Sequence, residues 1–183
     1  MLVPLRRSPL SQDQPFNLRQ AGEADLGDIL RIYTPYVLQT AISFEEQVPN
    51  LAEMRDRMGA LIPSYPYLVA DRAGEVLGYA YAGPHRSRSA YRYSVDVTVY
   101  VDPSAHRQGI GLVLYDQLFA DLADFGFKRA FAAIALPNVA SVGLHKALGF
   151  ELVGVYHKVG YKFDRWHDVS WWQRDVRSGH IED

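Results

Sequence analysis

The sequence predicts an α/β domain with a mixed sheet, and three features predict it. Apolar residues recur every three to four positions in several segments and alternate strictly in others. In the second half a strand, a glycine loop, a helix and another strand follow in turn, the order of one βαβ unit. With 183 residues, 48% hydrophobic and 22% charged, the chain can bury roughly two thirds of its unfolded surface in one domain. No repeat, low-complexity tract or long linker divides it, so the reading is a loose tail over 1–15 and a single domain over 16–183.

The elements follow in order. FNLRQAGEADLGDILRIYTPYVLQT reads as a short strand and then a helix burying Ile29, Ile32, Tyr33 and Tyr36 or Val37. Pro35 should kink or end that helix, because it lacks the N–H and crowds the preceding turn. Asn50 is a plausible N-cap for a second helix with Met54, Met58, Leu61 and Ile62 on its stripe. YLVADRAGEVLGYAYAG is two strands around Ala73-Gly74, a hairpin signal.

YRYSVDVTVYV alternates Tyr93, Val95, Val97, Val99 and Val101 against Ser94, Asp96, Thr98 and Tyr100. Aspartate is disfavoured inside strands, so Asp96 either faces water or has a task there. GLVLYDQLFADLADFGF puts Leu114, Leu118, Leu122 and Phe125 on one stripe, with Gly126 past the helix end. KRAFAAIA is a short strand. Asn138 can cap a helix carrying Ala140, Leu144 and Leu148, closed by Gly149. ELVGVYHKVGYKF and HDVSWWQRDV finish as strands.

A net charge of −2 argues against nucleic-acid binding by bulk electrostatics. The complete absence of cysteine excludes disulfides, thiolate metal sites and cysteine nucleophiles, and fits a reducing compartment, with the cytoplasm as the default address. MLVPLRRSPLSQDQP has no apolar stretch of signal-peptide length, and no window reaches the roughly 18 apolar residues of a membrane span. No metal and no membrane partner is expected. Between Glu75 and Asp96 no acidic residue occurs, while His85, Arg86, Arg88 and Arg92 do; that segment is a solvated loop or an anion-binding one.

The loop His106-Arg107-Gln108-Gly109-Ile110-Gly111 invites a phosphate. Leu114 stands where a dinucleotide fingerprint needs its third glycine, and Leu112-Val113 stands where a nucleoside-triphosphate loop needs lysine and a hydroxyl. A pyrophosphate seated on bare backbone N–H groups at a helix start needs neither.

Together VYVDP, HRQGIG and NVASVGLHKALGF resemble the GNAT superfamily of acetyl-coenzyme A-dependent N-acetyltransferases, whose loop reads R/Q-x-x-G-x-G/A; here His106 takes the R/Q place and Arg107 follows. AGPHRSRSAYRYSVDVTVYV, IALPNVASVGLHKALGF and VGYKFDRWHDVSWWQRD are similar, more narrowly, to phosphinothricin and methionine sulfoximine N-acetyltransferases. The likeness runs from about Phe16 to Val176. It implies the GNAT fold, a mixed and mostly antiparallel sheet flanked by helices, with one pyrophosphate-binding strand-loop-helix unit.

The resemblance also implies roles. Val99, Tyr100 and Val101 would lie along the pantetheine arm of acetyl-coenzyme A, and His106, Arg107, Gln108, Gly109, Ile110 and Gly111 would cradle its pyrophosphate. Asn138 and Ser141 would contact the arm from the other side, although Asn138 can also be read as a cap alone and Ser141 as a small helical residue. Asp96 falls where this branch carries a glutamate general base, one methylene longer; an unperturbed aspartate near pKa 3.9 needs burial to work at pH 7. His145 falls where relatives place a tyrosine or histidine near the thioester sulfur. Phe44 and Glu45, with Arg88, Ser89, Ala90 and Tyr91, would bind a small amino-acid-like substrate. The clustered Trp166, Trp171 and Trp172 read as part of a core or an interface, and the resemblance implies a homodimer using this region. Other readings keep the chemistry on a different amine or a protein N-terminus, or reduce the chain to an acetyl-coenzyme A sensor.

Overall fold

The computed structural model describes residues 16–177; the predicted tail 1–15 and the end of the predicted domain, 178–183, lie outside the described residues. A seven-stranded sheet runs in the order β1-β2-β3-β4-β5-β7-β6, numbered along the chain. All neighbours are antiparallel except β4 and β5, which matches the mixed, mostly antiparallel sheet of the implied fold.

β1 (Asn17–Gln20) leads through a short 3-10 turn into α1 (Leu26–Gln39). Asp25 ties that corner, accepting both terminal nitrogens of Arg19 at 2.7 Å and the Gly22 N–H at 2.8 Å. Of the two outcomes expected at Pro35, a kink or an end, the end does not occur: α1 continues through Gln39. The lost backbone bond at one position is outweighed by the burial of Ile29, Ile32, Tyr33, Tyr36 and Val37 along one face. α2 (Leu51–Leu61) starts at Asn50, which accepts from Ala52 and Glu53 N–H while Glu53 reaches back to the Asn50 N–H, a full capping box.

β2 (Tyr67–Arg72) and β3 (Glu75–Pro84) form the expected hairpin, with Ala73 and Gly74 both at positive φ (51° and 89°), as a tight turn matched to strand twist requires. Along β2, Leu68 and Ala70 join one core and Tyr67 and Val69 the other, so this half of the sheet is buried on both faces. α1 and α2 cover one face and α3 (Ile110–Asp124) the other. Leu114, Leu118 and Leu122 on α3 are fully buried, but Phe125 is exposed, because it is the C-cap where the chain already turns away toward Gly126.

β4 (Ser94–Val101) pairs with β3 along its whole length, from Val95 opposite Pro84 to Val101 opposite Gly78. β5 (Arg129–Ala135) is followed by α4 (Val139–Ala147), then β6 (Glu151–Lys162) and β7 (Arg165–Asp175). α4 packs through Val142, Leu144, His145 and Leu148, while Ala140 is exposed rather than on the buried face. Its first turn is held by the Asn138 cap, and the small Ala140 gives up little by facing water.

Candidate active site

β4 and β5 pair in parallel only over Ser94–Asp96 and Arg129–Phe131. Beyond that they separate, so Val97 to Val101 keep β3 on one side and no strand on the other, and the backbone edge facing the gap is open to a ligand's polar groups. A cavity of about 120 Å³ fills the gap, lined by Val97, Thr98, Val99 and Tyr100, by Ala132 to Ala135, and by Tyr115, Asn138, Ser141, His145 and Ile42. At one end lies the glycine loop. Gly109 adopts φ 79° as the N-cap of α3 and, having no side chain, caps nothing, which leaves first-turn N–H groups for an anion. Gly111 has a second reason to lack a side chain: a Cβ would come within 3.3 Å of Leu144, where α3 and α4 meet.

His106 is exposed, but its ring is held by two contacts. Its Nε2 lies 2.9 Å from the Tyr36 hydroxyl and 3.2 Å from the Val101 carbonyl, to which Tyr36 also donates. Burial pushes the Tyr36 phenol up to about 12, so it stays a donor at neutral pH. Arg107 is exposed at φ 62°, and Gln108 accepts from the Arg72 guanidinium at 2.9 Å.

Asp96 occupies the last paired position before the strands part. Burial raises its carboxyl above the usual range, and the hydrogen bond from His85, whose Nδ1 lies 2.6 Å from Oδ1, pulls it partly back. His145 is almost fully buried: Nδ1 meets the Ser141 carbonyl at 2.8 Å and Nε2 meets the Tyr115 hydroxyl at 3.2 Å. Burial lowers its pKa, with the Ser141 contact opposing, so the ring is neutral at pH 7.

A second cleft of about 390 Å³ shares Ile42, Ala133 and Ala135 with the first and adds Phe44, Tyr156, Val159, Val169 and Trp171. The two therefore lie side by side. The outer wall of the second cleft is the segment after α1, fastened by Lys162 of β6, which donates to the carbonyls of Val37, Ser43 and Glu45 at 2.6, 2.7 and 2.7 Å. The Phe44 ring lies so close over Gly160 that a Cβ there would stand 2.2 Å from it.

Of the predicted substrate residues, Phe44 lines this cleft, whereas the Glu45 carboxylate turns away to Arg57 at 2.6 and 3.3 Å. Arg88, Ser89, Ala90 and Tyr91 form an exposed turn between β3 and β4, solvated as charged turn residues generally are, with Tyr91 edge-on to the His85 ring at 5.9 Å. Arg86 lies 5.7 Å over the ring of Trp171, one of the residues lining the cleft. Sequence reasoning missed His85, Tyr36, Tyr115, Ile42, Tyr156, Val159 and Lys162 as site residues. The one available signal was His85 itself, noted only for its charge.

The acetyltransferase (GNAT) domain family matches residues 18–171. This chain belongs to the GNAT acetyltransferase family. It is 40% identical over 162 residues, 88% of each chain, to the phosphinothricin N-acetyltransferase of Streptomyces viridochromogenes. It is equally identical over 167 residues, 87% of this chain and 94% of the other, to the L-methionine sulfoximine/L-methionine sulfone acetyltransferase of Pseudomonas aeruginosa. Among solved structures, the phosphinothricin acetyltransferase of Sinorhizobium meliloti in complex with acetyl-coenzyme A superposes with a TM-score of 0.85 at 40% identity, covering 88% of this chain and 89% of that one. Among the described residues no helix of this acetyltransferase is long and apolar enough to cross a membrane.

Proposed function

We propose that this acetyltransferase moves the acetyl group of acetyl-coenzyme A directly onto the α-amine of a small amino acid or analogue, in the manner of phosphinothricin or methionine sulfoximine. The observation that carries the reading is the parting of β4 from β5 just past Asp96, which leaves a cavity between the strands next to a second, apolar cleft. The donor fits what the residues offer. The uncapped start of α3 with Gly109, Ile110 and Gly111 suits a pyrophosphate, with Gln108 and Arg107 at its rim and His106 fixed beneath by Tyr36. The free edge of Val99 to Val101 suits the amides of the pantetheine arm, with Asn138 and Ser141 opposite. When bound, the co-substrate supplies the activated acyl carbon.

Attack by an amine requires loss of a proton from the ammonium, and Asp96 is the base we assign: partly exposed and made more basic by burial. The amine nitrogen bonds to the thioester carbon, the C–S bond breaks, and the second nitrogen proton is delivered to the departing thiolate. His145 has both ring nitrogens engaged and is neutral, which favours a positioning role: it holds the Tyr115 hydroxyl on the polar side of the cavity. The apolar cleft receives the amino-acid side chain, and Arg86 at its rim is the cation best set for a carboxylate. A homodimer in the cytoplasm completes the reading. The exposed Tyr161, Phe163 and Trp166 gather at the turn end of the β6–β7 hairpin as an apolar patch that a second copy would cover, and light scattering at the mass of one chain would refute it.

The test mixes protein, acetyl-coenzyme A and a panel of amino acids, analogues and peptides and follows released thiol; the chain has no cysteine to add background. Turnover with free amino acids is the expected result. Turnover only with peptides would move the acceptor to a protein N-terminus, and tight binding without turnover would leave a sensor.

A further inference from the structure

His85 takes no part in the mechanism so far, yet it is the most tightly held polar group beside the base. Gly83 pairs with Asp96 across β3 and β4, so His85, two residues on, is the diagonal neighbour on the same face. Its ring stacks on Phe131, the register partner of Asp96 on β5, with centroids 4.1 Å apart and planes 15° apart. Trp171 of β7 and Tyr91 of the β3–β4 turn meet it edge-on at 6.3 and 5.9 Å. Three elements thus fix one imidazole with its Nδ1 2.6 Å from Asp96 Oδ1. A carboxylate oxygen and a ring nitrogen approach so closely only with a proton between them, which makes the neutral ring an Nδ1–H donor.

The exposures assign the order. The Asp96 side chain keeps 38% of its surface open and that of His85 only 11%, so an incoming ammonium meets the carboxylate, with the imidazole behind it. We propose that His85 is a positioning residue for acetyl transfer: its Nδ1–H holds Oδ1 and leaves Oδ2 turned toward the acceptor amine. The inference rests on the base assignment made above. The proton balance is complete. An ammonium N–H bond breaks and an O–H bond forms on Asp96; the amine then attacks, the second proton leaves with the thiol, and Asp96 returns its proton to water.

The experiment measures kcat and KM for wild type, His85→Phe and His85→Asn, with Tm for each. Phe keeps the stacked ring without the donor; Asn keeps a donor. The expected result is a fall in kcat on the order of tenfold to a hundredfold for His85→Phe, with KM for acetyl-coenzyme A unchanged, and partial recovery in His85→Asn. Wild-type kcat in folded His85→Phe, or a folded His85→Asn no more active than His85→Phe, overturns the inference while leaving acetyl transfer intact. A wild-type protein that acetylates no amine overturns the functional reading instead, and the two failures are distinguished by the wild-type trace alone.

Discussion

Lys162→Met tests whether the acceptor wall is built from β6. The ammonium is buried and shared among the carbonyls of Val37, Ser43 and Glu45, all within 2.7 Å, and these fasten the segment that carries Ile42 and Phe44. Methionine fills the volume of the stem but bonds none of them. Each orphaned carbonyl costs about 1 kcal/mol or more, partly offset because a buried charge is removed as well, which puts the net loss at about 3 kcal/mol. For a domain of this size that is a fall in Tm of about 6–12 °C. Urea unfolding measures the first quantity and acceptor KM reports the second consequence, because a loosened Phe44 leaves the cleft without its wall. A loss under about 1 kcal/mol with unchanged acceptor KM would refute the reasoning and mean the segment is held by its own contacts.

Other perturbations separate packing from chemistry. Gly78→Ala would set a Cβ 3.0 Å from the Tyr100 carbonyl and 3.3 Å from the Val101 Cα, backbone that cannot rotate aside, so a loss of about 1–3 kcal/mol and weaker acetyl-coenzyme A binding are expected by unfolding and titration. Gly59→Ala inside α2 meets nothing within 4 Å and should gain about 0.5–1 kcal/mol. The Arg19 guanidinium holds the Asp25 carboxyl below its usual range, a stabilisation present above about pH 3.9 and lost as pH falls through the lowered folded value. Arg19→Met should therefore cost about 1–2 kcal/mol at pH 7, tempered by the partial exposure of Arg19, and shift acid unfolding to higher pH in a circular-dichroism titration. Asp96 is the opposite case: with its pKa raised, ionisation above the folded value costs stability, so Asp96→Asn should keep or raise Tm at pH 7 while activity falls. A lower Tm would mean that the His85 contact outweighs the burial.

Local chemistry was legible in the sequence. The Asn50 capping box, the Ala73-Gly74 turn, the β4 alternation and the glycine start of α3 each follow from a few adjacent residues, and each stands as read. What escaped depends on distant partners. Pro35 fails to stop α1 because Tyr36 and Val37 are buried by tertiary packing, and Ala140 faces water because the α4 face is chosen by His145 and Leu148. The acceptor cleft is the extreme case, since Phe44 meets Gly160 and Lys162 meets Val37 across more than a hundred residues of chain. No local pattern in Glu45 indicates that its carboxylate turns to Arg57, nor does spacing alone pair His85 with Asp96.

The short β4–β5 ladder has a mechanical consequence. Three register pairs join a half-sheet of β1 to β4 to a half-sheet of β5, β7 and β6, so the domain resembles two boards sharing a brief seam. A ligand arm lying in the gap acts as a splint, bridging boards that the polypeptide itself leaves apart. Slow hydrogen exchange should then spread from Asp96 toward Val101 and from Phe131 toward Ala135 when the donor binds.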